Sequence, residues 1–141
     1  MFSKVAALGI DALGESQLVG YPGQYSSVSM VDWETGLPNA RLRVLQLLQQ
    51  LLGPGNSLLT TSYGEENGIH AQGLVGTDGE RKMLLINKEQ EDKAVQISGG
   101  GSGVAEIVHV GTGGDTWEER PMSGGAIALP RFANAVLSFA D

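Results

Sequence analysis

Sixteen carboxylates, two histidines and two tryptophans are the groups from which this 141-residue chain can build chemistry. His70 and His109 each stand alone on an alternating strand-like pattern. Neither has a second histidine, or an aspartate or glutamate at ligand spacing, so no metal site is expected. With no cysteine, the chain has no thiolate ligand, no disulfide and no cysteine nucleophile. A serine nucleophile needs a Gly-x-Ser-x-Gly turn between a strand and a helix, and no serine here has that setting. The glycine run "SGGGSG", Ser98 to Gly103, lacks the lysine and following helix of a phosphate-binding loop. No cofactor is implied. Most of the acids are expected to be solvated surface charge.

Trp117, in "GDTWEER", lies between glycine loops and charged residues. Aromatic faces stack on the C–H faces of sugars, so Trp117 is a candidate carbohydrate platform. A binding face usually offers several coplanar aromatics, and only 6% of the chain is aromatic. The alternative is a tryptophan that anchors a loop or fills the core.

The net charge is −7, which argues against nucleic acid, whose phosphates require a basic footprint. The nine lysines and arginines are scattered, so an anionic membrane surface is not an expected partner either. No apolar run approaches the ~20 residues that span a bilayer. The opening "MFSKVAALGID" is too short and too soon interrupted to read as a secretion signal, which leaves the compartment unassigned.

Two unlike segments must position these groups, residues 1–56 and 57–141. In the first, Val44, Leu45, Leu48, Leu51 and Leu52 recur at helical spacing, with Arg43, Gln46, Gln49 and Gln50 mostly on the other side. Pro38-Asn39 can start this helix, and Gly53-Pro54 can stop it. Leu42 and Leu47 widen the stripe, so it is expected to need cover on more than one side. Ahead of it, "FSKVAALGI" reads as a helix tail, "DALGESQLVGYPGQY" as a turn-rich loop, and Val28 to Trp33 as a short buried strand.

The second segment holds fourteen of the 21 glycines, and glycine overall is about twice its usual share. Eight short runs alternate with turn signals: "SLLTTSYG", "IHAQGLVG", "RKMLLINK", "KAVQISG", "VAEIVHVG", "TWEERPM", "AIALP" and "ANAVLSFA". Their spacing predicts a mainly β fold, an antiparallel β-sandwich of about eight strands behind an N-terminal α/β segment with one long amphipathic helix. "RKMLLIN" is expected at the centre. "AVQIS" and "ANAVLSF" carry the alternation of strands buried on one face. Glu89-Gln90-Glu91-Asp92 reads as a solvated hairpin turn.

Taken together, "SMVDWETGLPNAR", the leucine helix, "MLLINK" and "GGAIALPRFANAVLSFA" resemble the C-terminal region of clan-A retaining glycoside hydrolases of the β-xylosidase and α-L-arabinofuranosidase kind. In that family a (β/α)₈ barrel is followed by an antiparallel sandwich packed on its side. The resemblance implies that Val28 to Trp33 is the last barrel strand, Asn39 to Leu52 its helix, and residues 57–141 the sandwich. A retaining enzyme needs two carboxylates about 5–5.5 Å apart. The family carries them on earlier barrel strands, so this chain is not expected to be catalytic alone.

The resemblance also implies a site. The C-terminal end of a barrel strand faces the catalytic cleft, where Trp33 could stack on a sugar and Asp32 bind its hydroxyls, with Gln17 and Tyr21 at the rim. The alternative is that Trp33 packs beneath the helix and Asp32 caps the turn at Thr35-Gly36. The function expected is that of a non-catalytic accessory module of a glycoside hydrolase, stabilising or shaping a barrel supplied in cis or in trans. The stripe Val44, Leu45, Leu48, Leu51 and Leu52 is its packing interface, against sandwich, barrel or a second copy. A carbohydrate-binding module using Trp33 or Trp117, and a small stand-alone glycosidase, are the other readings.

Overall fold

The computed structural model describes every residue except 1, 11–13, 15, 16, 24–28, 65, 66 and 141. It contains helices α1 (Phe2–Ala7) and α2 (Ala40–Leu51) and strands β1 (Ser57–Leu58), β2 (Ile69–Val75), β3 (Arg81–Asn87), β4 (Lys93–Gln96), β5 (Gly103–Val108), β6 (Glu118–Met122), β7 (Ala126–Leu129) and β8 (Asn134–Phe139). Each of the eight expected runs supplies one strand. Six form a sheet in the order β1-β2-β3-β8-β5-β6, and β4 pairs with β7 in a smaller one. All of these pairings are antiparallel. Neither sheet closes on itself.

β3 is central, flanked by β2 and β8, and successive residues on it face opposite ways. Met83 and Leu85 point into the space between the sheets, with Ala71, Ala105, Ile107, Leu129, Ala135 and Leu137. The alanines among larger side chains let the two layers interdigitate. Leu84 and Ile86 point to the other face, with Leu74, Val108 and Val136. That face is not solvated, because α2 lies on it. β8 is therefore buried on both faces at Val136 and Leu137, both 0% exposed, rather than on one as its alternation suggested. Pro121 sits on β6, the sheet edge, where a missing N–H breaks no internal ladder.

The segment Glu89–Asp92 is not a hairpin turn. β3 pairs with β2 and β8, whereas β4 pairs with β7, so this stretch carries the chain from one sheet to the other. Asn87, 1% exposed, ties the crossing down. Its Nδ2 donates to Glu91 O at 2.8 Å, Pro130 O at 2.9 Å and, more weakly, Leu129 O at 3.3 Å. Its Oδ1 accepts from the Glu89 amide at 3.0 Å. One side chain thus ties together two of the four connections between the sheets, β3–β4 and β7–β8.

Asn39 starts α2. Its Oδ1 accepts from the Leu42 amide at 3.2 Å, which satisfies one orphan donor of the first turn. Its Nδ2 donates to Ser29 O at 2.6 Å, and its own amide to Met30 O at 2.9 Å. At the other end the Leu52 amide closes on Leu48 O, and a β-carbon at Gly53 would come within 2.9 Å of Gln49 O. Leu47, 0% exposed, is the centre of the buried face, with Val44, Leu48, Leu51 and Leu52 around it. Leu45 points away and is 37% exposed.

The expected strand over Val28–Trp33 does not form in its described part, and Val28 lies outside the described residues. Val31 makes isolated bridges instead, parallel to Val19 and antiparallel to Pro38. A single strand gains a ladder only from long neighbours, and proline offers no N–H to continue one.

Leu47→Ala is expected to lower stability by about 2–5 kcal/mol through lost transfer and cavity formation, whereas Leu45→Ala stays within ~0.5 kcal/mol as surface substitutions do. Urea unfolding of the two variants checks the contrast. Asn87→Ala is expected to cost ~1–3 kcal/mol, since it removes a buried side chain's bonds to the Glu91, Leu129 and Pro130 carbonyls, read from the same curves.

Candidate functional site

Asp32 sits at the start of a turn through Trp33, Glu34 and Thr35. Its Oδ1 accepts from the Glu34 amide at 3.1 Å, the Thr35 amide at 2.8 Å and the Thr35 hydroxyl at 2.8 Å. These bonds, the Thr35 amide first, hold the carboxyl below the ordinary aspartate range. The turn closes with the Gly36 amide on Asp32 O, and Gly36 takes φ 68°, which a side chain resists. Asp32 Oδ1 is thus engaged by its own turn. Trp33 is 48% exposed and is not tucked beneath α2. Gln17 and Tyr21, both exposed, lie on the stretch beside Ser29–Val31, where the Val31 amide donates to Leu18 O at 2.8 Å and the Gly20 amide to Val31 O at 3.1 Å. Asp32, Trp33, Gln17 and Tyr21 therefore share one loop region.

Trp117 is elsewhere. It precedes β6, is half-buried, and packs on the apolar cluster between α2 and the large sheet. Its Nε1–H donates to Glu106 Oε1 at 3.1 Å. Glu106 faces Glu119 across the β5–β6 pair. Burial is the main reason its carboxyl is pushed above the ordinary range; the Trp117 hydrogen bond opposes this and the Glu119 charge adds to it. The flank of α2 beside Trp117 carries Arg43, whose Nε donates to Gly114 O at 2.8 Å and whose Nη1 donates to Gln46 Oε1 at 3.0 Å.

The histidines are less isolated than their sequence spacing suggested. Tyr63 Oη lies 2.8 Å from His70 Nδ1, with the rings edge to face. His109 Nε2 lies 3.1 Å from Glu118 Oε2, while Arg120 grips the same carboxylate with Nε at 2.6 Å and Nη2 at 3.1 Å. Arg120 also donates from Nη1 to Ala128 O at 3.1 Å, so the pair links the large sheet to β7. The Arg120 bond is the chief reason that the Glu118 carboxyl is held below its ordinary value. Sequence spacing hides His109–Glu118 because the β5–β6 pairing brings them together; aligning "AEIVHV" against "WEERPM" as a hairpin would have exposed it. No cluster of three or more histidine, cysteine, aspartate or glutamate side chains fit to hold a metal occurs among the described residues.

No protein-family profile matches this sequence. No curated protein matches it. Solved structures do. A GH30 endoxylanase from Clostridium papyrosolvens C71 superimposes with TM-score 0.61 at 13% identity, covering 79% of this chain and 30% of that one. The catalytic domain of GH30 xylanase C from Talaromyces cellulolyticus gives TM-score 0.66 at 14% identity, covering 83% and 28%. The endo-β-1,6-glucanase BT3312 gives 0.53 at 19%, covering 89% and 26%. The chain thus spans less than a third of the length of each. At such identities the likeness shows a shared fold. The neighbours are glycoside hydrolases, the broad class that the sequence resembles.

The two perturbed glutamates have opposite pH signatures. Glu118, with its folded value lowered from 4.5, contributes stability that is present above pH 4.5 and lost as pH falls through the folded value. Glu106, with its folded value raised from 4.5, carries a penalty that is absent below pH 4.5 and grows as pH rises through the folded value. Glu118→Gln is therefore expected to destabilise the chain at neutral pH, and Glu106→Gln to leave it equal or more stable. Both differences should vanish as thermal unfolding is repeated at progressively lower pH.

Proposed function

We propose that this chain is a non-catalytic, C-terminal-type module of a glycoside hydrolase, which stabilises or shapes a catalytic (β/α)₈ barrel carried in cis or in trans. The observation that carries this reading is the asymmetry of the fold match. It spans 83% of this chain but 28% of the xylanase chain, the relation expected of one part to a larger whole. On this reading residues 1–56 correspond to the last barrel strand and helix, and the β-xylosidase or α-L-arabinofuranosidase kind is the finer assignment.

The surface supports a packed neighbour. Leu45, Val110 and Phe132 line an open cleft of about 400 Å³ with Ala40, Arg41 and Val44. Val110 is 55% exposed and Phe132 46%. Phe132 holds φ 55°, a left-handed conformation that costs a bulky residue of order 1–3 kcal/mol. An exposed aromatic kept in such a place fits an anchor for a partner surface better than a part of the fold. The expected occupant is the barrel wall, with the α2 stripe itself already buried on the sandwich.

Expressed alone, the chain should give no turnover of aryl β-xylosides, α-L-arabinofuranosides or β-glucosides. It should also self-associate in sedimentation velocity, and the Leu45→Ser/Val110→Ser/Phe132→Ser variant should abolish that association while remaining folded. Turnover would establish a stand-alone glycosidase instead. A strictly monomeric chain at high concentration would remove the barrel-facing surface.

A further inference from the structure

On the opposite flank of α2 from the apolar cleft runs a second groove, of about 370 Å³, lined by Arg43, Gln46, Gln49, Gln50, Thr116 and Trp117. Its chemistry is different. A solvated helix flank is ordinarily dressed with lysine and glutamate in mixed sign; here three neutral amides stand beside an indole. The one charged group in the lining, Arg43, is already bonded to Gly114 O and Gln46 Oε1. That leaves the amide N–H pair as the hydrogen-bonding group that Gln46 can still offer. Gln49 and Gln50 are exposed along the groove.

Trp117 is prepared in the same sense. Its only polar atom is engaged by Glu106 at 3.1 Å, and its apolar body packs on the cluster beneath α2. The ring is held by these two contacts, and a fixed ring loses little freedom when a ligand stacks on it. A fixed aromatic face bordered by planar amides and a hydroxyl matches a ligand with apolar C–H patches and several hydroxyls, each able to donate and accept. We propose that this groove binds a neutral oligosaccharide, with Trp117 as the stacking surface and Gln46, Gln49, Gln50 and Thr116 as hydroxyl partners. Acidic sugars are disfavoured, since Glu106 holds the indole N–H, Glu119 stands opposite Glu106 on the next strand, and the chain carries a net charge of −7. The proposal stands whether or not a barrel packs on the other flank.

The chain has two tryptophans, so in a Trp33→Phe background the indole fluorescence reports Trp117 alone. Titration with linear xylo- and gluco-oligosaccharides is expected to give a saturable change in intensity or wavelength. The Gln49→Ala/Gln50→Ala variant, whose substitutions lie on an exposed face and leave the core intact, should bind about tenfold or more weakly, the loss of one or two net hydrogen bonds, with an unchanged unfolding midpoint. Oligogalacturonates should give no response. Absence of any spectral change at millimolar neutral oligosaccharide, equal binding by the double variant, or an equal response to the acidic oligosaccharides would each overturn the proposal.

Discussion

The burial of one face of α2 on the six-stranded sheet is the contact on which the rest of the molecule depends. Leu47 enters the centre of Leu74, Leu84, Val108 and Val136, and each fully buried aliphatic side chain of this kind contributes ~1.5–3 kcal/mol. Without the helix, that face would be an apolar sheet in water. With it, the central strands become buried on both sides, and the molecule has three layers: helix, large sheet, small sheet. The same contact sets the flanks. It presents Leu45 beside Val110 and Phe132 on one side, and Gln46, Gln49 and Gln50 beside Trp117 on the other.

The ends of the helix show how local sequence serves this packing. Asn39 caps the first turn and at the same time binds the 29–30 backbone, so the loop containing Asp32 and Trp33 is fastened to the helix start. Arg43 reaches Gly114 from the first turn, fastening the 109–116 loop to the same point. Asn87 does the equivalent work between the sheets. A few polar side chains that bond to backbone carbonyls thus hold the layers in register, while the apolar clusters supply most of the stability.

The eight strands and the helix were legible because their hydrophobic periods are clear: two in "AVQIS" and "ANAVLSF", between three and four from Val44 to Leu52. Partners were not legible. Nothing local in "NKEQED" distinguishes a hairpin from a crossing between sheets, since either needs only a polar, solvated turn. The one-face pattern of "ANAVLSF" hid its second buried face, because a helix distant in sequence supplies the cover. The run from Val28 to Trp33 looked strand-like from composition, yet strand formation is settled by neighbours. The turn-capping alternative for Asp32 was readable from Asp-x-x-Thr-Gly spacing and is what its hydrogen bonds make. Trp117–Glu106 and His109–Glu118 depend on the β5–β6 register, which no single residue announces. Arg43 gave only a weak signal, an arginine three residues before a glutamine.

Three physical facts frame the functional reading: a fold shared with part of each of several larger glycoside hydrolases, an apolar cleft with an exposed, conformationally costly phenylalanine, and an amide-lined groove beside an indole. All three require the helix and the sandwich to be one cooperative body. Native-state hydrogen exchange measures that most directly. Amides of α2 from Val44 to Leu51 should exchange only through the same global opening that releases β3 and β8, with equal free energies and equal denaturant dependence. Helix amides that exchange through a separate opening of much lower free energy, while the strands stay protected, would contradict it.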